Sequence, residues 1–187
     1  FDLNIRRFLL ELAPFEQFDL DMARIVSGDP RVGEMLDWLQ RNTTMLRYDE
    51  TQRFHFWPQF KAFLIWEMER EYTEEKQRAI FSRGGLYYEL KEDYPHALDC
   101  YSKSGDHSKV SELLTRNAEL HPGMGHYSEM EPYYRSLQES EIEASPSLMQ
   151  SMSMLCSLSM DYEGAEKWYE ALRAFAARCG RGDAAGR

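Results

Sequence analysis

The chain has few cysteines and no long apolar run, and each shortage excludes a class of protein. Cys100, Cys156 and Cys179 form an odd set among 187 residues, without CxxC spacing, which favours reduced thiols over a disulfide framework. A cytoplasmic location follows as an expectation. The apolar stretches are too short and too interrupted for a signal peptide or a membrane span, so we expect no membrane partner.

Positive charge and catalytic motifs are also scarce. The chain has 22 Lys and Arg against 32 Asp and Glu, a net charge of −10, which argues against a broad phosphate-binding surface. No phosphate loop of the form GxxxxGK[ST] is present, and neither GxSxG nor HExxH occurs. His121 and His126 flank a short loop but lack a Cys or carboxylate at ligand spacing. We therefore expect no enzyme here, and neither a metal nor a cofactor bound to this segment.

Three similar phrases at a regular spacing are the strongest positive feature. Each begins and ends with Tyr and has a small residue or Met at its fourth position. The phrases are Tyr94-Pro-His-Ala97-Leu-Asp-Cys-Tyr101, Tyr127-Ser-Glu-Met130-Glu-Pro-Tyr-Tyr134 and Tyr162-Glu-Gly-Ala165-Glu-Lys-Trp-Tyr169. Their fourth positions lie 33 and then 35 residues apart (130 − 97 and 165 − 130). A period near 34 is typical of paired-helix repeats, which favours a binding or regulatory role over catalysis.

A small residue also stands twelve positions before each phrase's fourth residue, with a large apolar residue four positions earlier. This order resembles the tetratricopeptide repeat, in which an aromatic ring of the second helix fills the gap beside a small residue of the first. The signature residues are Phe81, Gly85, Tyr88, Ala97, Tyr101, Ala118, Met130, Tyr134, Ser153, Ala165 and Tyr169. The alternative is an ordinary helical bundle with a chance similarity.

The first 72 residues have a different pattern. Apolar residues at helical spacing predict three helices, and the period then changes from 3.6 to 2 around the polar turn 49–52. This predicts a β-hairpin with Phe54 and Phe56 on one face and His55 on the other, followed by a fourth helix to about Tyr72. Trp57 and Phe60 are interpreted as core residues. Three helices followed by a hairpin are typical of a winged helix.

We predict a mainly α fold, with a small winged-helix domain and a two-stranded hairpin followed by a TPR-like right-handed solenoid. The predicted domains are 1–72 for the winged helix, 73–178 for about three helix pairs, and 179–187 for a linker or disordered end. The predicted paired helices are 74–91 and 94–104, 107–120 and 126–138, and 146–160 and 162–178. Pro146 and Pro95 suit first helical turns, whereas Pro132 must lie in a first turn or kink its helix.

This order resembles the middle of the large ATP-dependent LuxR-type transcriptional regulators of the MalT kind. The resemblance is carried by four motifs: Arg53-Phe-His-Phe-Trp-Pro-Gln-Phe60-Lys-Ala-Phe-Leu64, Tyr87-Tyr88, Tyr94-Pro-His-Ala-Leu98 and Ser104-Gly-Asp106. It implies an upstream ATPase domain that binds ATP or ADP and a downstream DNA-binding domain, both outside this segment. Trp57 stands where the family has His, so we transfer a nucleotide contact neither to Trp57 nor to His55.

The resemblance implies a segment that senses a signal and transmits it. An effector small molecule, or a protein or peptide, would bind on the concave face, while DNA would be contacted only through the missing C-terminal domain. The candidate groove residues are Ser82, Leu86, Glu89, Glu112, Thr115, Glu119, Gln150, Met154 and Ser157. The edge of the last helix pair is a possible homodimer contact.

Two other functions remain open from the sequence. One is a TPR-like scaffold for protein–protein contacts unrelated to transcription. The other is a DNA-binding winged helix, which Glu34 and Asp37 on the third helix disfavour because they would face DNA phosphates. Only Gln40, Arg41 and Asn42 at the end of that helix suit base contacts.

Overall fold

The structure, a computed structural model, describes residues 2–120 and 127–182. The chain divides into two compact units, Phe1–Gly105 and Asp106–Arg187. The described residues are mainly helical, with one two-stranded antiparallel hairpin followed by further helices, which confirms the predicted fold class. Residues 73–105, assigned above to the repeat region, lie in the first unit. The domain boundaries themselves stay a prediction.

The first unit opens with three short helices, α1 (Leu3–Leu12), α2 (Leu20–Ser27) and α3 (Val32–Asn42). Asp19 begins α2, because its side chain accepts a hydrogen bond from the Met22 amide at 2.8 Å. Gly28 ends α2 with a φ of 64°, a conformation that costs a glycine little. The apolar faces of these helices form the core, with Phe8, Leu9, Leu12, Met22, Val26 and Leu39 buried.

The hairpin pairs β1 (Leu46–Tyr48) with β2 (Phe54–Phe56), so that Arg47 lies opposite His55. Phe54 and Phe56 are buried and His55 is half-buried, as the alternating pattern predicted. The carboxylate of Asp49 closes the turn by accepting the Thr51 and Arg53 amides. Phe18 adds a bridge beside Phe54 and stacks on its ring, with the ring centroids 5.5 Å apart. The wing is therefore joined to the helical core through aromatic contacts.

The rest of the first unit consists of α4 (Pro58–Glu71), α5 (Glu74–Leu90) and α6 (Tyr94–Ser104). Pro95 lies in the first turn of α6, as predicted, and the side chain of Asp93 caps that helix. Helix α5 packs against α2 as well as α6. The Tyr87 hydroxyl donates to Asp19 at 2.7 Å, which joins α5 to the start of α2.

Glu11 is an unusual member of this unit because it is a buried carboxylate. Its side chain points towards Arg7 and Arg83, at 3.8 and 4.0 Å, yet its second oxygen has no hydrogen-bond partner in the described structure. Burial raises the pKa of Glu11 above its ordinary value, and the nearby Arg83 and Arg7 oppose that shift. Since Arg83 belongs to α5, an ionisable contact joins α1 to the first helix of the predicted repeats.

The second unit contains five helices within its described residues. They are α7 (His107–Leu120), α8 (Tyr127–Ser136), α9 (Glu139–Glu143), α10 (Pro146–Leu158) and α11 (Tyr162–Gly182). Pro146 lies in the first turn of α10, as predicted, behind the capping side chain of Ser145. Pro132 lies inside α8 instead of in its first turn. Helix α9 was not predicted. A reciprocal cap between Gln138 and Glu141 stabilises this short helix.

The end of the described chain also differs from expectation. Helix α11 continues to Gly182, whereas the sequence predicted an end near 178 followed by a linker. Residues 183–187 of that predicted linker lie outside the described residues, as do His121 and His126. Over the part of the chain that is described, no helix is long and apolar enough to cross a membrane.

Candidate functional site

The first helix pair, α5 with α6, places its signature residues as the repeat pattern expects. Gly85 faces the Tyr101 ring so closely that a Cβ on this glycine would lie 2.8 Å from it. Ala97 and Tyr101 are buried, and the Tyr101 hydroxyl donates to Glu89 at 2.7 Å. Tyr88 is buried against the His96 ring, with centroids 5.0 Å apart. Phe81 is half-buried.

The signature residues of the second copy are also buried. Ala118, Met130 and Tyr134 are each at most 3% exposed, and the Asn117 amide donates to the Tyr134 hydroxyl at 3.5 Å. Tyr134 thus occupies the interior position predicted for the aromatic of the second helix. Tyr127, the first residue of this phrase, begins α8.

The third copy departs from the expected arrangement. Tyr169, predicted to fill the gap beside Ser153, is 55% exposed, whereas its neighbour Trp168 is 5% exposed. The Ser153 hydroxyl donates instead to the Ala165 carbonyl at 2.9 Å. The Ser153 side chain, whose hydroxyl bonds to the facing backbone, occupies the space that a glycine would leave for an aromatic ring. The buried aromatic of this pair is Trp168 instead. The expected role of Tyr169 is therefore wrong.

The groove candidates are distributed over both units. In the first unit Leu86 is exposed, Ser82 is half-buried, and Glu89 is engaged by the Tyr101 hydroxyl. In the second unit Gln150 and Ser157 are exposed and Met154 is half-buried. The Ser157 hydroxyl donates to the Ser153 carbonyl at 2.8 Å, which leaves its oxygen available as an acceptor.

The structure does bring three candidates together on α7. Glu112, Thr115 and Glu119 line one open cavity of about 660 Å³. The rest of its lining comes from the same unit: His107, Ser108, Ser111, Arg116 and Glu141. Glu112 pairs with Lys109 at 3.2 Å, and the Thr115 hydroxyl donates to the Ser111 carbonyl. Three carboxylates with one guanidinium suit binding of a polar or basic ligand.

A larger cavity, of about 900 Å³, lies beside the wing and was not predicted. Its lining includes Arg47, Asp49, His55 and Lys61. His55 contacts the Asp49 carboxylate at 2.5 Å, and the Thr51 hydroxyl and His55 hold the pKa of Asp49 well below its usual range. The signal available in the sequence was the alternation around His55, which places it on the face of the hairpin opposite Phe54 and Phe56.

Trp57 is not a core residue, contrary to the sequence-based interpretation. It is 45% exposed, and the Arg47 guanidinium lies over its ring at 5.1 Å from the centroid. Phe60 is half-buried and makes an edge contact with Phe56. Trp57 directly precedes Pro58 at the start of α4, so the strand pattern no longer controls its direction.

The outer face of α3 does not suit DNA. Glu34 and Asp37 are exposed on it, together with Trp38, which is 41% exposed. Gln40, Arg41 and Asn42 are exposed as well, and the Asn42 amide is engaged by the Trp38 carbonyl. Two carboxylates on the helix that would enter the major groove oppose the approach of phosphates.

Comparison with known families identifies the first part of the chain. Residues 1–76 match the family described as the MalT winged helix domain. This match confirms the resemblance to a fragment of a MalT-type regulator. It ends within the first turns of α5, so the TPR-like character of the helix pairs remains a prediction. No curated protein matches the chain.

Proposed function

We propose that this chain, whose first 76 residues are a MalT-type winged helix domain, is the sensing and transmission segment of a cytoplasmic LuxR-family transcriptional regulator. It binds an effector molecule, or a protein or peptide, on its helical surface. It carries no catalysis itself. A nucleotide-binding domain that uses ATP or ADP and a DNA-binding domain lie elsewhere in the full-length protein. The observation that carries this proposal is the winged-helix match followed directly by paired helices.

The cavity on α7 supports the binding role. It gathers Glu112, Thr115 and Glu119, all predicted from the repeat register, in one place. Its polar lining is richer in carboxylates than in cations, which favours a basic or amide-rich ligand. We place the effector in this cavity.

Transmission requires that the effector distinguish two states of the protein. A ligand shifts a conformational equilibrium only by its difference in affinity for the two states. The cavity therefore acts as a sensor only if its shape differs between the active and inactive regulator. Effector binding would then change the population of the active form.

The first test is to determine which domains the open reading frame encodes on both sides of these residues. A phosphate loop upstream and a helix-turn-helix downstream would support the regulator. The absence of both would contradict it and favour the alternative, a TPR-like scaffold for protein–protein contacts unrelated to transcription. The family match ends at residue 76, so it does not distinguish these two roles for the helix pairs.

The second test concerns the cavity. Thermal unfolding of the chain should shift upwards with basic and amide-containing candidate ligands, because a ligand that binds only the folded state stabilises it. The double variant Glu112→Gln with Glu119→Gln should lose that shift. Glu170→Gln, which changes an exposed carboxylate on α11, is the matched control. If the double variant keeps the ligand-induced rise in unfolding temperature, the ligand does not bind in this cavity.

A further inference from the structure

Helix α4 is apolar on two sides, although only one side is covered. Its inner side buries Leu64 and Met68 in the first unit. Its outer stripe consists of five exposed residues at the spacing of one helical face: Gln59, Ala62, Phe63, Trp66 and Arg70. A solvated helix normally presents charged residues there, so a stripe with Ala, Phe and Trp is typical of a helix that another surface covers.

Four exposed residues of this stripe form a patch, which we call the α4 patch: Ala62, Phe63, Trp66 and Arg70. Phe63 and Trp66 are 52% and 53% exposed, with ring centroids 6.4 Å apart. The Arg70 guanidinium lies over Trp66 at 4.6 Å from the ring centroid. Trp and Arg are enriched among the residues that contribute most to protein–protein binding, and Phe is enriched at interfaces.

The charges at the two ends of α4 are complementary to each other. At its N-terminal end the exposed Arg47 stacks on Trp57 and makes no ion pair with any described residue. At its C-terminal end Glu69 is exposed and likewise makes no ion pair with a described residue. The helix dipole adds partial positive charge at the N-terminal end and partial negative charge at the C-terminal end.

We propose that the α4 patch binds a second copy of this chain. The two α4 helices pack antiparallel across a two-fold axis near Ala62 and Trp66. Because such an interface is isologous, each patch contacts the same patch of the other copy. Phe63 and Trp66 pack across the axis, and Ala62, the smallest residue of the stripe, admits the close approach. Arg47 of each copy then lies beside Glu69 of the other.

The size of the patch sets the strength of this contact. The two rings, each about half exposed, offer roughly 200 Å² per copy, given that a buried aromatic side chain covers 150–250 Å². Even with flanking contacts, the interface stays below the standard size of a stable complex. The dimer is therefore reversible and forms as the concentration rises. This inference does not depend on which effector the regulator binds.

The first experiment measures self-association of the chain by sedimentation velocity over a wide concentration range. The chain should pass from monomer to dimer, and Trp66→Ala with Phe63→Ala should raise the dissociation constant by at least about tenfold. Leu158→Ala removes a more exposed apolar side chain from the second unit, 69% exposed, and should change nothing. A chain that stays monomeric throughout would overturn the proposal. So would a dimer that Leu158→Ala disrupts and the α4 variants do not, because that result assigns the contact to the edge of the last helix pair.

A charge-reversal experiment tests the two-fold arrangement itself. Arg47→Glu and Glu69→Arg each place like charges at both ends of the interface, and each should weaken the dimer by about tenfold at low salt. An equimolar mixture of the two variants should dimerise again, because in the mixed dimer both contacts join opposite charges. A mixture as monomeric as its components would reject the antiparallel pairing.

Folding controls accompany that experiment. Circular dichroism and the unfolding midpoint of each variant must match those of the parent chain. Should Arg47→Glu disturb the hairpin, Arg47→Gln keeps the test decisive. It removes the attraction without repulsion, so it should weaken self-association less than Glu69→Arg does. Equal or absent effects of the two would contradict the proposal.

Discussion

The first and third helix pairs share one sequence signature and pack in different ways. In the first pair, Gly85 admits the Tyr101 ring, and the hydroxyl of that ring reaches Glu89. In the third pair, Ser153 bonds to the facing Ala165 carbonyl, and Tyr169 is turned to the solvent. The comparison shows that spacing identifies a helix pair, whereas the residue at the crossing decides which side chain fills it.

The physical reason is whether the small residue carries a side chain at the helix crossing. A Cβ at position 85 would lie 2.8 Å from the Tyr101 ring, so the ring fits only because glycine has no Cβ. Ser153 brings a Cβ and a hydroxyl, and the hydroxyl bonds to the backbone. The close approach in the third pair is at Gly164 instead, where a Cβ would lie 2.9 Å from the Cys156 sulfur. Trp168 is the buried aromatic of that pair.

The largest expected contrast comes from removing the two aromatic rings. Tyr101→Ala should lower the free energy of unfolding of its unit by about 3–5 kcal/mol, because it leaves a cavity in a closed contact. Tyr169→Ala should stay within about 0.5 kcal/mol, since an exposed side chain contributes little. Urea unfolding followed by circular dichroism measures both. Similar losses for the two variants would mean that the third pair closes around Tyr169 after all.

The small residues provide the next contrast. Gly85→Ala should destabilise by about 1–3 kcal/mol, because the added Cβ overlaps the Tyr101 ring and this outweighs the better helix propensity of Ala. Ser153→Ala should change stability by less than about 1 kcal/mol, as the lost hydrogen bond is partly offset by that same propensity. Urea midpoints of the two variants decide this. A stabilised Gly85→Ala would show that the ring can move aside.

The link between α5 and α2 offers a smaller effect. Tyr87→Phe removes the hydroxyl that donates to Asp19 at 2.7 Å and should cost about 1 kcal/mol. Tyr162→Phe, at a 74% exposed position in the third pair, is the matched control and should be neutral. Thermal unfolding of both variants would show whether the first pair gains stability from its attachment to α2. Equal melting temperatures would indicate that it does not.

The smallest effect concerns pH and the buried carboxylate of the first unit. Because burial raises the pKa of Glu11 above 4.5, the folded state keeps a proton that the unfolded state releases. The free energy of unfolding should therefore fall as the pH rises from 4.5 through the raised pKa. Glu11→Gln should remove this decrease in the free energy of unfolding with pH. Asp29 and Asp49 have lowered pKa values, so they act below 3.8, outside this window. Urea midpoints at several pH values measure the difference, and parallel pH profiles of parent and variant would contradict the assignment.

Much of the fold could be predicted from local patterns. The hairpin followed from a change of period at Phe54 and Phe56, and five of the six predicted paired helices begin at the residue expected. Pro95 and Pro146 marked two of those starts. The missed helix α9 is five residues long, too short for a periodic signal, and depends on the cap between Gln138 and Glu141.

The candidate site was less accessible to the same reasoning. The repeat register placed Glu112, Thr115 and Glu119 on one helix face, because residues three and four apart are neighbours there. It could not show that Glu141 of α9 would complete the cavity, since that contact joins distant parts of the sequence. The wing cavity was missed for the same reason: Arg47 and Lys61 belong to different elements.

The sequence by itself determined the order of the described helices and strands other than α9, because helical and strand periods, caps and prolines act over a few residues. It also carries the local pattern over residues 1–76 that matches the MalT winged helix domain. Only the tertiary structure decided which aromatic closes each helix pair, that Trp57 is exposed beside Arg47, and that Glu11 is buried. Those outcomes depend on contacts between residues far apart in the chain, where the volume and hydrogen-bonding capacity of the partner select the arrangement.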